Sequence, residues 1–381
     1  MISSSHRPQT ATVNRLVDVW AARYRPDFSI LASSARSLII DEIYQLLQTP
    51  AARGISATLN SQQIVEACKL AAIRSKDFYV HFDDFDLQEI TSLAQVTSRI
   101  YLQLLEFYQT HTTVFAISEW ELEHLPLERL GQLYKVPNIS ELASVLAPSI
   151  DELQAKSAGS NDEKSLGFMT TQINLTNALL LKSLDPLERA LLGAYFKFLE
   201  DHMAMPWQRM CGAALHHRNG TPIFGIVERM VPMMAEISLA TYTQWSHDFP
   251  YHHTRRGRLE HPEVKHSSLR DFDMFQVYLW LSFLQGHTRV IKEELVVLCR
   301  VVYAHIGIPW EMTLRGAQLL TDKVLSCLEP HELNLVAPCV ENMMLVFNHS
   351  NQVMEKLSLG NGHGFNPDVP CQDSGSEKGF D

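Results

Sequence analysis

Residues 267–286 read SSLRDFDMFQVYLWLSFLQG, and the pair Arg270-Asp271 stands at the mouth of a run that is otherwise almost wholly apolar. A mostly buried helix needs only a simple cap at its start. A cation and an anion side by side at that place therefore point to a task beyond holding the backbone. What that task is depends on the segments around it.

Outward from this run the dominant period is helical. ARSLIIDEIYQLLQ (35–48), SQQIVEACKLAAIRS (61–75) and LAQVTSRIYLQLLEFY (93–108) each repeat apolar residues three and four apart, which gathers them on one helix face. No alternating strand pattern of comparable length competes, so the fold class is all-α. Asp185-Pro186-Leu187-Glu188 has an N-cap, a proline at the first helical position and a glutamate placed to return to the cap's N–H. Thr221-Pro222 repeats the device, Pro206 and Pro232 should kink or divide their helices, and Gly286 and Gly307 are natural stops.

The organisation expected is an N-terminal helical region over 1–154, a polar Gly-containing linker AKSAGSNDEKSLG over 155–167, a helical domain over 168–350 and a disordered tail over 351–381. Residues 246–266, SHDFPYHHTRRGRLEHPEVKH, read as a loop, and 287–309, HTRVIKEELVVLCRVVYAHIGIP, as a second amphipathic helix.

From Ser268 to Pro309 the chain resembles the phycobiliproteins. Ser268-Leu269-Arg270-Asp271, then Tyr278 and Gly286, then Tyr303, Gly307 and Pro309 follow without a gap that family's Cys-Leu-Arg-Asp, its tyrosine-bearing helix ending in Gly, and its Tyr-x-x-x-Gly-x-Pro. The resemblance implies a globin-like domain in the C-terminal half, association with phycobilisome or related antenna proteins, and homo- or hetero-dimers. It also implies roles for two residues. Arg270 would pair with a propionate of a linear tetrapyrrole, as the planar fork of a guanidinium suits a carboxylate. Asp271 would accept hydrogen bonds from pyrrole N–H groups. Ser268 stands where the family's attaching cysteine belongs, and a hydroxyl is not the polarizable thiolate that such addition requires.

Two readings follow. In the first, the chain keeps the scaffold, carries no cofactor and acts by protein contact. In the second, Arg270 and Asp271 hold a bilin without a covalent bond. Plain salt-bridge chemistry accounts for the pair as well. A third reading rests on His247, His252, His253, His261 and His266, interleaved with Arg255, Arg256 and Arg258, as a metal-binding loop; their spacing fits no standard zinc pattern. An anion contact by the arginines, or a solvated loop, competes with it.

Other features argue for structure. His216-His217 before Gly220 reads as a helix C-terminus. Met203, Met205, Met210, Met230, Met233 and Met234 are core or a pliable binding surface. GNGHG (360–364) makes a poor phosphate loop, and no GxSxG, HExxH or Walker-type sequence is present, so an enzyme is not expected. A formal net charge of −11 argues against a nucleic-acid binder. The six cysteines lack CxxC spacing and read as reduced. MISSSHRPQT lacks the apolar stretch of a signal peptide and no run is long enough to span a bilayer, which points to the cytoplasm.

Overall fold

The structure, a computed structural model, describes residues 11–28, 59–78, 87–111, 124, 136–157, 162–218 and 220–360. The periodic stretch 35–48 and tail residues 361–381, with most of GNGHG, lie outside the described residues.

Helix predominates among the described residues. In chain order the α-helices are α1 (Ala11–Ala21), α2 (Ser61–Phe78), α3 (Leu87–His111), α4 (Ile139–Ser157), α5 (Asp162–Ser183), α6 (Pro186–Ala204), α7 (Trp207–Ala213), α8 (Pro222–Met230) and α9 (Met234–Asp248). They continue as α10 (Pro262–Gln285), α11 (Val296–Ile306), α12 (Trp310–Ser326) and α13 (Pro330–Gly360). Strand among the described residues is confined to a hairpin, β1 (His253–Thr254) against β2 (Gly257–Arg258).

The punctuation acts as its chemistry dictates. Asp185 accepts the Glu188 N–H at 2.9 Å, and both halves of the capping box form at the start of α6. Pro206 separates α6 from α7, and Pro232 sits in a 3-10 turn between α8 and α9. Gly286 and Gly307 close α10 and α11 with φ of 71° and 79°, a left-handed conformation that costs glycine little. A π-helical turn, Ile291–Leu295, leads into α11.

Three stretches differ from expectation. Helix α4 reaches Ser157 and α5 begins at Asp162, so helix enters both ends of the 155–167 stretch. Helix α13 runs to Gly360, past the point where a tail was expected. The 246–266 loop is instead the end of α9, the hairpin, and the first turn of α10. Arg270 and Asp271 thus lie more than two turns inside α10, not at its mouth.

One apolar cluster runs from Leu16 to Phe347 and joins helices from both halves of the chain. Met203, Met205, Met210, Met230 and Met234 are buried in it and Met233 packs against it, which makes the Met-rich run core. Trp280 and Phe283 are buried there too. Around α10 pack α7, α9, α12 and α13, and α5 packs against both α6 and α11. Those helices carry the groups that meet Arg270 and Asp271.

Candidate functional site

Along α10, Arg270 and Asp271 turn toward α6 and α11. The Arg270 Nε and Nη2 donate to Asp271 Oδ1 at 3.1 and 2.8 Å, and Nη1 donates to Glu200 Oε1 of α6 at 3.1 Å. Tyr303 of α11 donates its hydroxyl to Asp271 Oδ2 at 3.1 Å. Glu200 also accepts from Asn174 Nδ2 of α5 at 3.1 Å and meets His266 Nε2 at 3.0 Å. The network ties α5, α6, α10 and α11 into one polar seam within an apolar interior.

Its electrostatics are self-contained. The side chains of Arg270, Asp271 and Glu200 keep 14%, 18% and 5% of their exposure. Burial alone would raise the Glu200 carboxyl, but the His266 hydrogen bond and charge, with the Arg270 charge, hold it well below the usual range. Burial would likewise weaken the Arg270 cation, yet Asp271 and Glu200 outweigh that and keep it firmly protonated. Burial, then Asp271, drives the Tyr303 phenol well above its ordinary value, so it stays a donor. Two carboxylates already flank one guanidinium. An incoming propionate would meet the Glu200 charge beside Nη1 and find the Nε/Nη2 edge taken by Asp271.

Two small cavities open beside the pair. One, of about 330 Å³, is lined by Ser268, Asp271, Phe272, Tyr303, Met312 and Gly316, among others. The other, also about 330 Å³, is lined by Arg270, Asp271, Tyr303, Thr170, Met274 and Val302, among others. The space in each that is open to a water-sized sphere is only about 30 Å³, room for a water and not for an extended four-ring pigment. A groove of about 600 Å³ lies on the far side of Tyr303, bordered by Cys299, Arg300, Gly307, Pro309 and Trp310, without Arg270 or Asp271. Burial, then the nearby Asp271 charge, pushes the Cys299 thiol far up, so it is no nucleophile. Neither Trp280 nor Phe283 lines any of these spaces.

The histidine loop does not converge. His252 Nε2 bonds the Gly307 carbonyl at 2.8 Å, while His266 faces Glu200. Among the described residues no group of three or more His, Cys, Asp or Glu is placed to hold a metal. Tyr278, two turns further along α10 than Asp271, donates its hydroxyl to Glu294, 3.4 Å away.

Sequence reasoning missed Glu200, Asn174 and a second buried cluster one turn along the helix. There Asp273 accepts from Ser238 Oγ at 2.6 Å and pairs with Arg23, from the segment after α1. Glu200 carried a faint signal: it is an acid with apolar Phe196, Met203 and Ala204 three and four residues away along its helix.

Residues 225–345 match the family described as Phycobilisome protein. No curated protein and no solved structure matches the chain. No helix among the described residues is long and apolar enough to cross a membrane. The region that carries Arg270, Asp271 and Tyr303 thus lies within an all-α stretch, residues 225–345, that is similar to the phycobilisome protein family.

Proposed function

We propose that the chain is a non-catalytic, cytoplasmic relative of the phycobiliproteins that carries no covalently attached pigment and works by contact with phycobilisome or related antenna proteins, in their assembly or regulation. The observation that carries this reading is the closure of Arg270 on Asp271 and Glu200. In this chain the pair that the resemblance assigns to a propionate and to pyrrole N–H groups is bonded to protein, and the serine at the attachment position offers no thiolate. A scaffold whose pigment contacts are satisfied internally retains its outer surface as its means of action.

The test is co-sedimentation of the purified chain with isolated phycobilisomes. Stoichiometric, saturable co-sedimentation is the result expected. A chain that stays in the supernatant at tens of micromolar would sink the reading.

The groove of about 600 Å³ beside Tyr303 favours a second reading, a bilin bound without a bond and without Arg270. Added free bilin that acquires induced circular dichroism, and loses it on Tyr303→Ala, would support that reading over the first.

A further inference from the structure

Helix α13 carries two seams. Val336, Val340, Met343 and Phe347 recur three and four apart and are buried in the core at 4% exposure or less. On another face His331, Leu335, Pro338, Asn342, Leu345 and His349 alternate steps of four and three and are all exposed, Leu335 and Leu345 to 42% and 63%. That alternation is the 3.5-residue period of a coiled-coil seam, with 335, 342 and 349 at a positions and 331, 338 and 345 at d positions. The inner seam suffices to dock a helix on a core. The outer one faces away from it along ~27 Å.

The layers of the outer seam select its occupant. Positions 335 and 345, 338 and 342, and 331 and 349 are each equidistant from Val340. An identical helix laid antiparallel therefore sets Leu335 on Leu345, Pro338 on Asn342 and His331 on His349, the self-complementarity of a two-fold interface. Pro338 has no N–H, so the Asn334 carbonyl lacks the amide that the next turn normally supplies, on the exposed side of α13. Antiparallel pairing brings the Asn342 amide of the second copy opposite Pro338, where it can donate to that carbonyl. Parallel pairing would set proline on proline and leave the carbonyl unmet. A single asparagine at an a position fixes register in this manner. Charge agrees. A net charge of −11 repels a second copy over most of the surface, but between Leu333 and Ser350 the one formal charge is Glu341, at the margin of the seam.

We propose that this face of α13 is an interface between two copies of the chain, joined antiparallel about a two-fold axis level with Val340. One helix pair is a small contact, so the dimer is weak, with a Kd on the order of 10–100 μM. Pairing needs no antenna protein and is measured on the chain alone, so its failure is distinct from a failure of antenna binding.

The test is sedimentation equilibrium of the full-length chain. The parent should pass from monomer to dimer over tens of micromolar. Leu345→Glu and Leu335→Lys, both at exposed positions, should each weaken association at least tenfold and leave the Tm unmoved. Leu345→Glu should recover association when mixed with Leu335→Lys, whose lysine it then faces. It should not recover with Leu345→Lys, which stands ~15 Å away along the antiparallel pair. The reverse preference means parallel pairing and overturns the proposal. So does a dimer that tolerates both single substitutions. A parent that stays monomeric at several hundred micromolar, as it would if another segment of the same chain covered the face, overturns it as well.

Discussion

Arg270 on α10 and Glu200 on α6 are joined at 3.1 Å, with Glu200 almost wholly withdrawn from water. The bond accounts for why a polar pair is tolerated two turns inside an otherwise apolar helix: the guanidinium is partnered on both sides, by Asp271 in its own helix and by Glu200 across the seam. Breaking such a pair from one side leaves the other charge stranded. Arg270→Met should therefore cost about 3–5 kcal/mol in urea unfolding. Neutralising the stranded group in Arg270→Met/Glu200→Gln should recover part of that loss. A single variant within ~0.5 kcal/mol of the parent, the range of unremarkable surface changes, would show that the seam is not structural.

Two histidines give opposite pH dependences. Burial pushes His202 down to about 4, while its Nδ1 accepts the Trp207 indole N–H at 3.0 Å. The unfolded chain binds a proton at higher pH than the folded one, so stability rises from about pH 4 to the unfolded value near 6.5, by about 2–3 kcal/mol. His266 shifts the other way, raised by its hydrogen bond to Glu200 and by that residue's charge. Its contribution is complete below the unfolded value and is lost as pH rises through the folded one. The half-exposed ring makes that loss small. Thermal melts from pH 4 to 8 should show the acid-side slope flattened in His202→Asn, and the shallow alkaline decline removed in His266→Gln. An unchanged slope in His202→Asn would contradict the assignment.

Two helical glycines should respond with opposite signs. A methyl at Gly316 would stand 3.1 Å from Phe272 Cε1 and 3.4 Å from Trp245 Nε1, an indole fixed by its bond to the Met312 carbonyl. The overpacking cost of ~1–3 kcal/mol exceeds or cancels the helix-propensity gain of about 1 kcal/mol. Gly225, with nothing within 4 Å of the same position, gains the propensity alone. Gly316→Ala should lower Tm and Gly225→Ala should raise it. The reverse order would mean that the cavity wall beside Ser268 yields freely.

Much of the helical frame was legible because its determinants are local. The capping box at Asp185, the breaks at Pro206 and Pro232 and the left-handed stops at Gly286 and Gly307 each follow from a few neighbouring residues. The early start of α10 had its own signal in Pro262-Glu263, a proline and an acid suited to a first helical turn, obscured by the histidines around it. The hairpin turns on Thr254-Arg255-Arg256-Gly257, which lacks the usual Asn-Gly or Asp-Gly pair. The site was less legible. Arg270 and Asp271 stand out within α10, but Glu200, Asn174 and Tyr303 come from three other helices, and no local pattern announces which distant acid will face which arginine. Arg23 was hidden for the same reason, as its partners Asp201 and Asp273 lie far along the chain.

The most direct measurement is the visible absorbance of the chain purified from a host that makes bilins. Pairing of Arg270 with Glu200 and Asp271, and a serine at position 268, predict a colourless protein, with no pigment retained on the polypeptide after denaturation. A long-wavelength band that co-purifies in stoichiometric amount, and above all one that survives denaturation, would contradict the account.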